Sequence, residues 1–407
     1  MQRAILLLFI VITIIGFTQA FSEHEVDPIP KTEVVKADPF SDSLAVFLHT
    51  FDSSLVAESN RRGLPGGAYV ITYGDSILIA KGFGVRKSGE PEKIDEHTVF
   101  RLGSVSKGFA SVLAGMMVEQ NIISWDDTVK DIVPYFQLSD SAQTSRIQVK
   151  HLLSHTTGLP RHAYTNLVED GLSLERIIPQ FKRVDLISAE GTQLAYQNAA
   201  YAVIEKVLEA RTNEGFGRLI REDIFDPLGM DDASTSYADL KMNENVAQPH
   251  YYRSNRGRLP TSIKNNYYNT ISAGGINASV SDMGKWLLLL TGNHPELISE
   301  TTMDEVFEPV TTMNNRRFSR HWPGVYKSHY AMGWRVLENG DQTIVYHGGY
   351  VNGYRSEIAL DRDQKLGICI LYNSPSSYAL QAIPQFFNGF NELSAAFYST
   401  TVLTNDE

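Results

Sequence analysis

The sequence is poor in cysteine and in positive charge. Cys369 is the single cysteine among 407 residues, so no disulfide can form within one chain. It lies in the apolar run Leu366-Gly-Ile-Cys-Ile-Leu-Tyr372, where a thiol reads as a small buried hydrophobe rather than a nucleophile. Basic residues number 36 against 47 acidic ones, a formal net charge of −11. That balance argues against nucleic-acid binding, which needs a basic face; the acidity supports solubility. A long membrane-spanning run is also missing. Ala4 to Phe17 is almost unbroken apolar sequence but falls short of the roughly 20 residues a span requires.

With Arg3 before that run and Thr18-Gln19-Ala20 after it, residues 1–20 read as an export signal cleaved after Ala20,. This predicts a periplasmic or secreted protein, with membrane attachment only if the segment stays uncleaved. The absence of a cysteine near Ala20 argues against a lipid anchor.

What is present is ample material for a core. Hydrophobic residues make up 43%, enough for more than one lobe. Residues 21–38 are polar and proline-bearing, a linker; the domain is expected over 39–395, with a tail at 396–407. A helix is expected near 41–60. Residues 67–85 then give two strand-like runs around Gly74-Asp75, a hairpin signal. The middle, about 110–290, is mostly helical in pattern.

The organising stretch runs from Arg101 to Glu119. Val105, Phe109, Val112, Leu113, Met116 and Met117 recur at helical spacing,, predicting one buried face. Ser104 and Lys107, three apart, share the N-terminal end of that helix. Ser104-Val-Ser-Lys107 is the only Ser-x-x-Lys in the chain. A serine hydroxyl needs a base to become a nucleophile, and a lysine is a base only when neutral. Burial and a helix N-terminus both disfavour the ammonium, and the helix end offers a free amide to an oxyanion. The motif is short and needs partners elsewhere.

Several stretches offer them. Tyr196-Gln-Asn198 precedes an amphipathic helix; tyrosine can relay a proton and asparagine can hold an amide while orienting a lysine. Tyr-x-Asn also occurs at 164, 267 and 350, but the copy at 196 leads directly into a long apolar-striped helix, a rigid support. His347-Gly348-Gly349 sits between strand-like runs that suggest an antiparallel meander. The glycines allow close backbone approach, and His347 is a candidate anion contact or proton shuttle. His151 and His155 stand four apart, a spacing compatible with zinc, but the glutamate of the zinc-protease motif is missing because Leu152 follows His151. No metal or cofactor is called for. Residues 231–270 form a long aromatic-spotted loop, and a helix at about 281–291 is expected to be capped by Ser281 or Asp282. Arg316, Arg317, Arg320, His321 and Lys327 make a basic loop, read as a solvated face or a rival anion anchor. A closing helix is expected over 376–392.

A lone Ser-x-x-Lys, then Tyr196-Gln-Asn198, then His347-Gly-Gly349, in that order, resembles the serine β-lactamase and penicillin-binding family. It looks closest to the class C-like branch of D-Ala-D-Ala carboxypeptidases, D-aminopeptidases and esterases. The flanks Gly82-Phe-Gly84, Phe100-Arg-Leu-Gly-Ser104, Leu152-Leu-Ser-His-Thr-Thr-Gly-Leu-Pro160, Ala273-Gly-Gly275 and Met332-Gly-Trp334 extend the likeness over about residues 40–390. The resemblance implies an α+β fold, an antiparallel β-sheet flanked by helices with an inserted mainly helical lobe. It implies an acyl-enzyme on Ser104 with Lys107 as base, Tyr196 as proton relay and Asn198 as substrate contact. The backbone N–H groups of Ser104 and Tyr350 would form the oxyanion hole, beside Gly348 and Gly349. His347 departs from the Lys-Thr-Gly of class C β-lactamases. That disfavours efficient β-lactam hydrolysis and makes anion binding at His347 pH-dependent. The expected substrate is a small molecule or peptide: a D-amino-acid peptide, an ester or, as the alternative, a slowly hydrolysed β-lactam. A non-catalytic binding protein of the same family is the rival from another class.

Overall fold

The computed structural model describes residues 39–314 and 320–405. Two compact units divide between Ala45 and Val46. The first is described only over the opening residues of helix α1 (Pro39–Arg61); the second carries the rest of that helix and every other element.

The second unit is built on an eight-stranded, wholly antiparallel sheet. The hairpin β1 (Gly66–Tyr73) and β2 (Ser76–Gly84) turns at Gly74-Asp75, where Gly74 takes φ +62°. Two-stranded ribbons follow much later: β3 (Phe100–Arg101) pairs with β6 (Asn277–Ala278), and β4 (His250–Arg253) with β5 (Gly257–Pro260). The C-terminal third adds β7 (Thr311–Thr312), β8 (Lys327–Tyr330), β9 (Arg335–Asn339), β10 (Gln342–Val351), β11 (Tyr354–Asp361) and β12 (Leu366–Tyr372). The order is β2-β1-β12-β11-β10-β9-β8-β7. The first hairpin therefore closes on the last strand, across nearly 300 residues. Strand β12 is buried at every position, as a strand covered on both faces must be, and Cys369 lies within it.

Between these strand groups lies mainly helical sequence. Helix α2 (Ser106–Glu119) runs through its centre, with every residue from Ser106 to Met117 buried. The expected single apolar face is thus a helix buried all round. Its small residues permit this: a Cβ on Gly108 would stand 2.2 Å from the Trp334 indole, and Phe109 stacks on Trp286 at 3.9 Å. Helix α3 (Val203–Thr212) packs beside it. Helix α4 (Val280–Leu290) covers β1 and is capped by Ser279, not by Ser281 or Asp282. Asp282 instead completes a reciprocal capping box with Ser279, the arrangement in which two orphan donors are satisfied together. Helix α5 (Glu300–Phe307) follows, and α6 (Ala379–Asn405) closes the chain against β11 and β12. It continues through the residues expected to form a tail, since after Gly389 no glycine or proline interrupts it. Among the described residues no helix is long and apolar enough to cross a membrane. Residues 1–20, and with them the expected export signal, lie outside the described residues, as do Arg316 and Arg317.

Candidate active site

Ser104 stands in a single 3-10 turn, Gly103–Val105, immediately before α2. The expectation of Ser104 in the first α-helical turn is corrected by half a turn. The reason is Gly103, whose φ of +54° bends the chain in a way side-chain-bearing residues resist. A Cβ there would also stand 3.0 Å from the Tyr350 backbone. The half-buried Ser104 is thereby laid against strand β10, near the Tyr350 amide.

Lys107 is fully buried. Its Nζ lies 3.4 Å from Ser104 Oγ, donates to Asn198 Oδ1 at 2.9 Å and donates to the Ala273 carbonyl at 2.8 Å. It also stands 4.8 Å from the centroid of the Tyr196 ring, whose hydroxyl interacts with the Lys107 and Ser104 side chains. The lysine, serine, tyrosine and asparagine picked out in sequence therefore meet at one point. Burial pushes the Lys107 ammonium below its ordinary range, with the Tyr196 oxygen opposing the shift. Burial alone would raise the Tyr196 phenol, but the positive charges of Lys107 and Arg335 outweigh it and lower its pKa. A proton held between two such groups belongs to the pair rather than to either one.

Each contact has a local cause. Asn198 opens a short helix, Asn198–Tyr201, directly ahead of α3, so a helix start aims it. Its Nδ2 donates to Tyr267 Oη at 3.2 Å. Tyr267, at φ +69°, is carried on a loop that Arg101 clamps: the guanidinium donates to the Lys264 and Asn266 carbonyls and to Asn266 Oδ1, and stacks over Tyr268. Tyr201 Oη donates to the Lys107 carbonyl at 2.7 Å, fixing the first turn of α2.

His347-Gly348-Gly349 lies inside a strand, not in a turn: β10 runs unbroken to Val351, and the reversal comes at Asn352-Gly353. Beyond Tyr346 only β11 pairs with β10, because β9 begins at Arg335 opposite Tyr346. The β9-side edge of residues 347–351 is left open toward Ser104. Gly349 makes the approach possible: a Cβ there would stand 2.1 Å from the Leu102 carbonyl and 2.2 Å from Ser356 Oγ. Ser356 Oγ itself donates to that carbonyl at 2.5 Å.

The expected role of the His347 imidazole is corrected. It is fully buried, with Nε2 3.3 Å from Tyr330 Oη and Nδ1 3.0 Å from the Gly348 carbonyl. Burial, then the charges of Arg335 and Lys107, hold its pKa well below the usual histidine range. So placed, the ring lies against Tyr330 and its surroundings disfavour the cation that a substrate carboxylate would meet. His151 and His155 also serve separate purposes. His151 Nδ1 accepts from the Gln148 amide, and His155 Nδ1 accepts from the Gln197 amide at 3.2 Å, with its ring 4.2 Å from that of Tyr196. His155 thus supports the tyrosine. In the basic loop, Lys327 is committed to Glu338 at 3.5 Å.

Sequence reasoning missed the Ala273 carbonyl, Tyr267, Arg101, Tyr330 and Arg335. Ala273 and Arg101 stand in flanking stretches of the resemblance and Tyr267 opens another Tyr-x-Asn, but nothing local assigns them a part in the site; Tyr330 and Arg335 carry no local signal.

A buried lysine one turn from a half-exposed serine, set against the open edge of an antiparallel sheet, belongs to the class of β-lactamase and transpeptidase folds. The chain is a member of the beta-lactamase family: residues 51–384 match the family described as Beta-lactamase. It is 27% identical over 330 residues to a protein named unguisins hydrolase ungD' of Aspergillus campestris, covering 79% of this chain and 60% of that one. It is 26% identical over 368 residues to Beta-lactamase-like protein 4 of Dictyostelium discoideum, covering 84% and 61%. The chain thus spans about three fifths of the length of these curated relatives. The octameric penicillin-binding protein homologue from Pyrococcus abyssi has the same fold, with a TM-score of 0.73 at 22% identity over 84% of this chain and 77% of that one.

Proposed function

We propose that the protein is a serine hydrolase that forms an acyl-enzyme on Ser104. The observation that carries this reading is the fully buried Lys107, its Nζ within 3.4 Å of Ser104 Oγ and enclosed by Asn198, the Ala273 carbonyl and Tyr196. Lys107, neutral at the moment of attack, takes the hydroxyl proton; the hydroxyl oxygen attacks the substrate carbonyl. The amides of Ser104 and Tyr350 receive the oxyanion. Tyr196 passes the proton to the leaving group, and water then releases the acyl group by the reverse proton path. Asn198 keeps Lys107 in place and meets the substrate. Gly348, Gly349 and the open edge of β10 take the substrate backbone by main-chain hydrogen bonds. The proposed substrates are D-amino-acid peptides, in the manner of a carboxypeptidase or aminopeptidase, or esters. A neutral His347 where β-lactamases carry a lysine disfavours rapid β-lactam turnover. The relative named as an unguisins hydrolase supports hydrolysis as the class of reaction. Residues 1–20 support a site of action outside the cytoplasm.

The test is acylation by 4-nitrophenyl acetate and by a fluorescent penicillin, read as added mass and mapped to a peptide. The expected adduct sits on Ser104 and is absent in Ser104→Ala, with turnover down by about a thousandfold or more. An adduct on Ser106, or one that survives Ser104→Ala, overturns the assignment. D-Ala-D-Ala peptides, nitrophenyl esters and a chromogenic cephalosporin, compared by kcat/KM, then rank the substrate classes.

A further inference from the structure

We infer that Glu205 is a positioning residue for the base, holding Ser272 so that the neighbouring Ala273 carbonyl stays against Lys107 Nζ. This rests on the reading of Lys107 as base. Glu205 lies on α3, and only 4% of it is exposed. Its Oε1 accepts from the Ser272 amide at 2.8 Å and from Ser272 Oγ at 2.6 Å. Ser272 belongs to the single helical turn Ile271–Gly274, and the next residue in it supplies the carbonyl that accepts from Lys107 at 2.8 Å.

A one-turn helix has little to hold it in place. Its first amides have no acceptor of their own, and Thr270, at the cap position, makes no side-chain cap. Glu205 supplies that missing acceptor from a different element. Two consecutive helices thus reach the two closest acceptors of Lys107: Asn198 Oδ1 directly, at the start of the short helix Asn198–Tyr201, and the Ala273 carbonyl through Glu205 on α3. Burying a carboxyl is costly, and here burial raises its pKa to about 8 despite both bonds from Ser272. Packing alone would be served better by an apolar side chain. The other charges acting on Glu205 are Glu209 and Lys206. Those acting on Lys107 are Tyr196 and Arg335, and Lys107 in turn acts on His155 and His347.

The sign of the effect follows from the contact. The Ala273 carbonyl stabilises the ammonium form, so losing it lowers the Lys107 pKa further. It also frees Nζ to wander from Ser104, and misplacement by about 1 Å can cost up to about a hundredfold in rate. Glu205→Gln keeps a carbonyl acceptor; Glu205→Met keeps the bulk without one. With 4-nitrophenyl acetate, Glu205→Gln is expected to stay within a few-fold of wild type. Glu205→Met is expected to lower kcat/KM by about ten- to a hundredfold and to move the acid limb of its pH profile to lower pH, with KM little changed. Ser272→Ala removes one of the two bonds and is expected to shift both quantities the same way by less, which keeps the test open if Glu205→Met fails to fold. Wild-type rate and acid limb in Glu205→Met, or in Ser272→Ala when the former does not fold, overturns the inference. So does a Glu205→Gln variant as impaired as Glu205→Met. If Ser104→Ala still acylates, the proposed function itself is at fault; if Ser104→Ala is inert while the Glu205 variants act as wild type, only the role of Glu205 fails.

Discussion

Lys107 Nζ donates to Asn198 Oδ1 at 2.9 Å, a bond between residues 91 apart in sequence and both buried. It ties the start of one helix to the first turn of another, so a charge placed at residue 198 would act directly on the Lys107 amine. Asn198→Asp places a carboxylate at that point. An opposite charge so close favours the ammonium and raises the Lys107 pKa by about 1–3 units. The acid limb of kcat/KM should therefore move to higher pH, with activity at pH 7 reduced about tenfold or more. An unmoved acid limb would show that this contact does not set the state of the base.

Lys107→Arg keeps a positive charge but cannot act as a base at working pH. The side chain it replaces is fully buried. A bulkier guanidinium must overpack its surroundings, at about 1–3 kcal/mol. Lys107→Met removes the base without adding bulk. Both variants should lose acylation nearly completely, and thermal melts should show Lys107→Arg to be the less stable. Substantial acylation by either would move the proton acceptor to Tyr196.

His347 held neutral by burial and by nearby cations should give no separate pH response for anionic substrates. Between pH 8 and 6 the KM values for a neutral ester and for a carboxylate-bearing peptide should keep a constant ratio. An ammonium-like gain for the peptide alone as pH falls through about 6.5, the reference histidine value, would mean that the ring opens to the cleft.

Glu205 also links stability to pH. Its folded-state pKa of about 8 stands above the ordinary carboxyl value of 4.5, so the folded state holds this proton more tightly than the unfolded one. The protonated form favours folding fully below about 4.5, and that contribution is lost as pH rises through about 8. Glu205→Gln, which never ionises, should gain melting temperature relative to wild type between pH 5 and pH 8. A gap that does not widen with pH would show that the carboxyl is ionised in the folded protein.

Gly349→Ala tests the seating of β10 on the Ser104 turn. The added methyl would meet the Leu102 carbonyl and Ser356 Oγ at about 2 Å, so strand and turn must separate. A stability loss of about 1–3 kcal/mol and a fall in kcat/KM should appear together. Normal activity would mean that the strand need not touch the turn.

Much was legible in the sequence because it is local. The β1–β2 hairpin was carried by Gly74-Asp75 between strand-like runs, α2 by its apolar spacing, and the buried strand around Cys369 by its unbroken hydrophobicity. Residue type also confined the chemistry: a lone Ser-x-x-Lys, with tyrosine, asparagine and glycine motifs in fixed order, left few alternatives for a candidate site. What the sequence could not determine was which long-range neighbours close around those residues. The Ala273 carbonyl is a backbone atom that any residue type could supply. Arg101 and Glu205 act through loops and turns distant in sequence. The imidazole of His347 looks available in sequence and is sealed off in the fold, because strand alternation sends residue 347 inward against Tyr330. Burial, more than residue identity, shifts the protonation of Lys107, Glu205 and His347, while at Tyr196 the charges of Lys107 and Arg335 outweigh it, and both burial and these neighbours are properties of the packed chain alone.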